Sequence, residues 1–238
     1  MAHPKAPAVK PNNVLIIFVK YPQPGRVKTR LAKDIGKQNA ADLYRLFTEA
    51  LLERTEGKNY RRILFYTPPD KENRIKKWLA GNGLEFHPQK GKDLGERLYS
   101  SFSYSFAASA QRVVTIGTDC PMIDKEIINS AFAALESKHC VLGPSLDGGY
   151  YLVGLSLLKE DIFKGICWGT KKVFSQTLHK LRATKMNYHI LKPLFDIDTY
   201  QDAALLKEKL ERMRMIPAGL EPLLGRLRKL KYNKGNSE

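Results

Sequence analysis

Cysteine is scarce in this sequence, and no stretch of it is apolar for long. The three cysteines are odd in number and widely separated, and no Cys-x-x-Cys pair occurs, which argues against a disulfide framework or a cysteine zinc site. The longest apolar runs have the length of a strand, far below the roughly 20 residues that cross a bilayer. Residues 1–13 lack the apolar core of a signal peptide. We therefore expect a cytoplasmic protein with a disordered lead-in over residues 1–13.

Glycine-rich phosphate loops are also missing. The sequence contains neither the Walker A pattern G-x-x-x-x-G-K-[ST] nor the Rossmann pattern G-x-G-x-x-G. Ser145 lies in Gly-Pro-Ser-Leu-Asp, not in the G-x-S-x-G pattern of a nucleophile elbow. Any nucleotide is therefore held by a different arrangement.

The sequence does have a stiff cationic segment, residues 20–31 (KYPQPGRVKTRL), directly after the apolar run 14–19. Pro22 and Pro24 fix φ, and Gly25 permits a sharp turn or a close backbone approach. We expect a non-helical loop at the end of the first strand. Four cations surround its turn: Lys20, Arg26, Lys28 and Arg30. A solvated basic loop is the simpler interpretation, but stiffness, position and charge together favour phosphate binding.

Basic residues outnumber acidic ones by 40 to 24, which gives a formal net charge of +16. This charge implies anionic partners: nucleotides, phosphorylated substrates, nucleic acid or acidic membrane surfaces. Part of it lies in residues 226–234 (RLRKLKYNK), where five cations occur without an acid. A nucleic-acid-binding module is disfavoured, because no RRM, KH or helix-turn-helix signature is present. Peripheral membrane contact through residues 220–230 and their basic flank stays open.

Strand and helix patterns alternate along the chain, which predicts an α/β fold. We expect a single-domain, mostly parallel (mixed) sheet flanked by helices over 14–215, followed by a basic C-terminal helix and tail over 216–238. Ligands on such sheets bind at the carboxyl ends of the strands. The predicted strands are 14–19, 62–67, 84–87, 112–117, 140–144, 150–155 and 188–191. The predicted helices are 38–54, 70–80, 94–108, a helix capped by Asp124, 171–181, one from Asp198 or Thr199 to Met213, and 220–230.

Two acidic motifs follow predicted strands. Asp119, in Gly-Thr-Asp-Cys-Pro, comes directly after residues 112–117 and is placed to hold Mg²⁺ or Mn²⁺, which prefer oxygen ligands shared with substrate phosphates. Its alternative role is a helix N-cap, for which Asp124 is better spaced. Asp196 or Asp198, in DIDTYQD, is a candidate second ligand, whereas Asp198 or Thr199 could cap the next helix.

Asp147, Gly148 and Gly149 lie between two predicted strands. Asp-Gly is a strong hairpin signal, and a plain hairpin is a serious interpretation. The functional alternative is that the glycines let a substrate approach while Asp147 meets its polar groups. Arg97 could reach a nucleotide or simply belong to a helix start, and Trp168 could pack over a ligand or lie in the core. We assign the histidines no role.

Six motifs in this order resemble a bacterial family of glycosyltransferase-like proteins of GT-A (nucleotide-diphospho-sugar transferase) fold, often associated with radical-SAM or selenoprotein domains. The matching pieces are KYPQPGRVKTRL, DLGERL, GTDCPMI, GPSLDGGYYLVGL, CWGTKKVF and DIDTYQDA, which together cover roughly residues 14–206. The family is more remotely similar to the molybdenum-cofactor and phospholactate guanylyltransferases. The chain lacks their GGxGxR loop and has Gly117 where a D-x-D motif would need an acid.

The resemblance implies an NTP or NDP-sugar over the first half of the sheet. Lys28, supported by Arg30, would meet phosphates, while Asp119 and Asp198 would bind Mg²⁺ or Mn²⁺. We take Lys28, Asp119 and Asp147 as candidate catalytic residues.

The leading hypothesis is a metal-dependent transferase with an NDP-sugar donor and a small-molecule acceptor. The alternative is a nucleotidyltransferase that releases pyrophosphate. The sequence does not specify an oligomeric state.

Overall fold

The computed structural model describes residues 12–81 and 83–232. Seven strands occur in this part of the chain: β1 (Asn13–Lys20), β2 (Arg61–Thr67), β3 (Glu85–Pro88), β4 (Arg112–Ile116), β5 (Cys140–Pro144), β6 (Tyr150–Leu155) and β7 (Tyr188–Ile190). They form one sheet in the order β3-β2-β1-β4-β6-β5-β7. Of these strands, β6 alone runs antiparallel to its neighbours. The expected mixed, mostly parallel sheet is confirmed.

The centre of the sheet contains its topological switch point. β1 pairs in parallel with β2 on one side and with β4 on the other. The chain first moves outward through β2 and β3 and then returns to place β4 on the opposite side of β1. The loops that leave β1 and β4 therefore diverge and open a crevice at the carboxyl ends of these strands, where α/β sheets bind their ligands.

Helices cover both faces of this sheet. Those of the described residues are α1 (Thr29–Ile35), α2 (Lys37–Arg54), α3 (Glu72–Trp78), α4 (Leu94–Ala107), α5 (Lys125–Ala134), α6 (Val173–Ala183), α7 (Tyr200–Glu211) and α8 (Glu221–Arg228). On one face, α2, α3 and α5 contribute to a core that includes Leu15, Ile17 and Leu64. On the other face, α4 and α6 pack over Val14 and Ile16. Burial on both faces explains why residues 14–19 of β1 are all apolar.

A third apolar cluster forms an outer layer of helices. It joins α1, α2, α7 and α8, and Leu31, Phe47 and Leu206 are fully buried in it. The apolar residues of α8, among them Leu223 and Leu227, also lie within this cluster. Helix α8, in the predicted basic C-terminal segment 216–238, therefore shares a core with residues 14–215. Its apolar side contacts protein, so only its basic side is left for the membrane contact that the sequence kept open.

Most predicted elements are confirmed within a few residues, but the segment 20–31 is not wholly a loop. Helix α1 begins at Thr29, so the expectation of a non-helical segment is wrong for its last three residues. The prolines and Gly25 restrict only the first half of the segment, and Leu31 and Ile35 then offer an apolar helix face.

One further prediction differs from the structure, and two others lie largely outside the described residues. The helix predicted over 70–80 begins later and with a different N-cap than Asp70, because Pro69–Lys71 forms a short 3-10 turn and α3 starts at Glu72. The predicted lead-in over residues 1–13 and the end of the predicted tail fall largely outside the described residues. Within residues 12–81 and 83–232, no helix is both long and apolar enough to cross a membrane.

Candidate functional site

A cavity of about 560 Å³ opens at the switch point of the sheet. It lies over the carboxyl ends of β1, β2 and β4 and over the start of β6, and residues 26–30 and the first turn of α4 form its rim. Among the described residues, five cations and two carboxylates line it: Lys20, Arg26, Lys28, Arg30, Arg97, Asp119 and Asp198. Since the cations are in excess, the cavity is suited to a ligand with several negative charges.

The first loop is folded tightly onto the sheet. The N–H of Tyr21 donates to the carbonyl of Thr67 at 2.8 Å, and that of Arg26 donates to the carbonyl of Gln23 at 3.0 Å. Gly25 has φ +76°, and a β-carbon there would lie 3.3 Å from the Lys37 side chain. The glycine therefore serves the turn itself, and it does not line the cavity that its neighbours enclose.

Lys28 follows this turn in a left-handed conformation, with φ 47° and ψ 48°, directly before α1. A non-glycine residue adopts this region at a cost of about 1–2 kcal/mol, and such strain occurs at functional sites. Its side chain is 3% exposed, and its Nζ lies 2.5 Å from Oδ1 of Asp119 and 2.9 Å from Oδ1 of Asp198. The three predicted site residues therefore meet in one cluster.

Burial by itself lowers the pKa of Lys28, but the charges of Asp119 and Asp198 outweigh it and raise this pKa above its ordinary value. The ammonium is therefore present at every physiological pH. Asp119 is half-exposed at the cavity wall, with 52% of its side chain accessible. Arg30 lies farther out, its guanidinium 3.7 Å from Oδ2 of Asp198.

Backbone hydrogen bonds bring Asp198 close to Asp119, and no sequence motif predicts these bonds. The segment after β7 runs beside the end of β5, where the N–H of Leu194 donates to the carbonyl of Pro144 at 3.1 Å. It then crosses to β4, where the N–H of Ile197 donates to the carbonyl of Asp119 at 3.0 Å. Thr199 caps α7 in a capping box with Asp202. Since Thr199 is the cap, the carboxylate of Asp198 is free to pair with Lys28.

Tyr44 is a site residue that the sequence reasoning missed. Its hydroxyl accepts the N–H of Lys20 and the hydroxyl of Thr118, each at 2.8 Å. It thus ties the ends of β1 and β4 together beneath the cavity. Burial and the charge of Asp119 raise the pKa of Tyr44 to about 12. The sequence signal that could have identified Tyr44 is a polar hydroxyl among the apolar residues of the buried face of α2.

Asp196 lies next to the main cluster in a small recess of about 60 Å³ that also borders Asp119. Its Oδ2 accepts a hydrogen bond of 2.8 Å from the hydroxyl of Ser145. Burial, followed by the charges of Asp119 and Asp147, raises the pKa of Asp196 to about 6, although the bond from Ser145 and the charge of Lys28 oppose the rise.

This raised pKa predicts a stability that depends on pH. Because the folded protein holds the proton of Asp196 more tightly than the unfolded chain does, this group stabilises the fold below pH 4. It loses that contribution as the pH rises to about 6. The loss corresponds to about 2 kcal/mol in the free energy of unfolding. Urea titrations from pH 4 to 7 are expected to show a decline in wild type that Asp196→Asn lacks, and parallel curves would refute the assignment.

Asp147 lies at the tip of the hairpin between β5 and β6, outside the lining of the main cavity. Its Oδ1 accepts the N–H of Gly149 at 2.9 Å, so it shapes the turn. Gly148, with φ +91°, packs against the chain itself: a β-carbon there would lie 2.4 Å from the carbonyl oxygen of Lys171. This packing accounts for Gly148 without a bound substrate, and the hairpin turn accounts for the contact between Gly149 and Asp147.

The remaining predicted residues divide between the cavity and its support. Lys20 and Arg97 line the cavity, and Arg97 Nε donates to the carbonyl of Gly91 at 3.1 Å. Trp168 lies outside the lining. Its ring packs edge-on to Tyr150 at 6.3 Å between centroids, and its Nε1 would lie 2.7 Å from a β-carbon at Gly95. Trp168 therefore supports the first turn of α4, which borders the cavity.

Asp119 and Asp198 fit the metal that the sequence led us to expect. Carboxylate oxygens are the ligands that Mg²⁺ prefers, and one or two of them together with substrate phosphates commonly suffice. Both side chains border the cavity where a phosphate would lie. In the part of the chain that the structure describes, no group of three or more His, Cys, Asp or Glu side chains has metal-binding geometry.

A family profile and several solved structures relate the chain to known proteins. The sequence profile of a family described as "Uncharacterized protein conserved in bacteria (DUF2064)" matches residues 51–170. The crystal structure of a protein from Desulfovibrio desulfuricans G20, provisionally named a nucleotide-diphospho-sugar transferase, is similar at 32% identity and a TM-score of 0.85, over 92% of this chain and 94% of that one. No curated protein matches the sequence.

More distant structures share the fold. A cytidylyltransferase from Leptospira borgpetersenii serovar Hardjo-bovis has 14% identity and a TM-score of 0.55, over 92% of this chain and 94% of its own. 4-Diphosphocytidyl-2C-methyl-D-erythritol synthase from Anaerococcus prevotii DSM 20548 has 12% identity and a TM-score of 0.57, over 85% and 99%. The expected GT-A-like fold is thereby confirmed.

Proposed function

This chain belongs to the bacterial family DUF2064, and we propose that it is a transferase that uses a nucleotide-activated donor, in the form of an NDP-sugar, together with Mg²⁺ or Mn²⁺. The observation that carries the proposal is the meeting of Lys28, Asp119 and Asp198 in a cation-rich cavity at the switch point. The provisional name of the protein from Desulfovibrio desulfuricans, a nucleotide-diphospho-sugar transferase, supports it.

The position of the charges supports one orientation of the donor. Phosphates belong beside Lys28 and Asp119, at the ends of β1 and β4. Gln89, which follows β3, also lines the cavity and is held by a 3.0 Å hydrogen bond from its Nε2 to the carbonyl of Phe65. Three strand spacings separate β3 from β4, roughly 14 Å, which is comparable to the length of an extended nucleoside diphosphate. The nucleoside therefore lies toward Gln89 and the start of α4.

The cations of the cavity then stabilise the phosphate that departs from the donor. As the donor's phosphate departs with the bonding electrons, negative charge grows on its oxygens, and Lys28, Arg26 and Arg30 offset that charge. Preorganised charges of this kind supply much of the catalytic effect in transferases. Asp119 and Asp198 would hold the metal, which would neutralise the diphosphate. The strained backbone of Lys28 fixes the point from which its buried side chain extends.

A ligand panel tests this proposal. We expect UDP-, GDP-, ADP- or CDP-sugars with Mg²⁺ or Mn²⁺ to raise the melting temperature. At 100 times Kd the gain is about 2.7 kcal/mol, or roughly 5–10 °C for a chain of this size. Release of a nucleoside diphosphate from the selected sugar supports glycosyl transfer.

The same panel includes the four NTPs and separates the alternative. Pyrophosphate release from an NTP, with no turnover of any NDP-sugar, would replace glycosyl transfer by nucleotidyl transfer. If no nucleotide of either type shifts the melting temperature with or without metal, the nucleotide proposal itself fails. Inorganic phosphate at matched ionic strength controls for general binding of anions to a basic protein.

A further inference from the structure

The ammonium of Lys28 occupies a place that is suited to a metal ion. Its Nζ lies between Oδ1 of Asp119, at 2.5 Å, and Oδ1 of Asp198, at 2.9 Å. A magnesium ion bound to the same two oxygens would need distances of about 2.1 Å. The two carboxylates therefore already bind one cation, which is the side chain of Lys28.

Several contacts hold Lys28 in this place. Its backbone is fixed at the start of α1, where its carbonyl accepts the N–H of Ala32 at 2.8 Å. The Nζ lies 5.9 Å from the ring centroid of Phe47, and the side chain is 3% exposed. Because so little of the side chain reaches solvent, water cannot solvate the ammonium well if the ammonium loses both carboxylates. Any other stable position must supply a new anion.

A divalent cation that binds Oδ1 of both aspartates cannot share these two atoms with Lys28. Two positive centres would then lie at contact distance, where like charges repel strongly. The metal must displace the ammonium, and the ammonium must reach another anion within the span of its side chain. Apart from these two carboxylates, cations dominate the charged lining of the cavity. The anion that can receive Lys28 is therefore the phosphate of a ligand.

We propose that Lys28 is an internal substitute for the metal. In the ligand-free protein its ammonium occupies the carboxylates of Asp119 and Asp198, and it moves to phosphate when metal and ligand bind together. This inference rests on the proposed use of a metal and a phosphorylated donor. It adds that metal binding to the ligand-free protein is suppressed. It also adds that metal and phosphate strengthen each other's binding by the same factor, as linkage requires.

Binding of Mn²⁺ tests the proposal without any turnover. The probes are Mn²⁺ alone and Mn²⁺ with inorganic pyrophosphate, followed by electron paramagnetic resonance and calorimetry. Lys28→Met keeps the length of the side chain and removes the charge. We expect Lys28→Met to bind Mn²⁺ at least tenfold more tightly than wild type in the absence of pyrophosphate. Pyrophosphate is expected to raise the Mn²⁺ affinity of wild type at least tenfold, and that of Lys28→Met by a clearly smaller factor.

Matched variants isolate the position of the charge. Lys33→Met removes an exposed cation of α1 outside the cavity and should bind Mn²⁺ as wild type does. Lys28→Arg keeps a cation and should bind it as weakly as wild type. Lys28→Gln serves the same purpose as Lys28→Met if the latter does not fold, which circular dichroism will show.

Equal Mn²⁺ affinity of ligand-free wild type and of the folded neutral variant overturns the proposal. So does a gain in Lys33→Met as large as that in Lys28→Met, since the effect would then be one of net charge. Failure of every nucleotide to bind would refute the proposed function instead, because the comparison with Mn²⁺ alone needs no nucleotide and still decides the role of Lys28.

Discussion

Replacement of Asp119 by asparagine is expected to abolish metal-dependent nucleotide binding while the fold stays intact. Asparagine keeps the shape of the side chain but removes one of the two anionic ligands. The carbonyl of residue 119 still accepts the N–H of Ile197. We expect the Mn²⁺-dependent affinity for nucleoside diphosphates to fall at least 100-fold, and turnover to fall on the order of 10²–10³-fold, as when one preorganised electrostatic group is lost.

The stability of this variant should change little, because the Asp119 carboxylate is half-exposed and Lys28 keeps Asp198 at 2.9 Å. We expect a change within about 1 kcal/mol. Calorimetric titration of ADP, CDP, GDP and UDP with and without Mn²⁺ measures the binding. Asp147→Asn is the matched control, because it makes the same chemical change outside the cavity. If Mn²⁺ enhances binding equally in wild type and Asp119→Asn, Asp119 is not a metal ligand.

The location of Lys28 and Asp119 at one edge of the sheet follows from sequence patterns alone. Both residues come shortly after apolar runs that read as buried parallel strands, and the carboxyl ends of such strands meet at one edge of the sheet. Pairing of β1 with β4 places the two loops side by side. The sequence reasoning assigned phosphate to the lysine and metal to the aspartates. It did not predict that Lys28 and the two aspartates pair with one another.

The position of Asp147 shows that the same argument locates an edge of the sheet but not a distance along that edge. The loop of Asp147 also leaves the carboxyl end of a strand, β5. The antiparallel strand β6 inserts between β4 and β5, so two strand spacings, roughly 10 Å, separate the loops. A hairpin signal predicts that two strands pair. It does not say on which side the second strand enters the sheet.

Other parts of the site depend on tertiary contacts that have no local signal. Lysine rarely adopts positive φ, and nothing in the sequence predicts φ 47° for Lys28 or the short helix α1 after it. Tyr44 reads as one more residue of an amphipathic helix, and its role appears only when its hydroxyl reaches Lys20 and Thr118. Asp196 and Ser145 meet across 51 positions of sequence.

Replacement of Gly148 by alanine should destabilise the protein more than most single substitutions. The residue has φ +91°, which alanine tolerates poorly, and its β-carbon would lie 2.4 Å from the carbonyl oxygen and 2.7 Å from the Cα of Lys171. Backbone atoms cannot rotate away as a side chain can, and the carbonyl of Gly148 is also bound to the N–H of Phe174 at 2.9 Å. Strain and overpacking together predict a loss of roughly 2–4 kcal/mol in the free energy of unfolding, measured by urea titration.

The neighbouring glycine provides the control that separates packing from substrate approach. At Gly149 an added β-carbon would meet only the carboxylate of Asp147, whose Oδ1 would lie at 3.2 Å, so the side chain needs to shift by only a few tenths of an ångström. We expect Gly149→Ala to cost less than about 1 kcal/mol, with nucleotide binding preserved. If Gly148 instead serves a bound substrate, Gly148→Ala will keep wild-type stability and lose ligand affinity or turnover. A large loss of stability that is confined to Gly148→Ala shows that this glycine exists to let the hairpin pack against the backbone of Lys171.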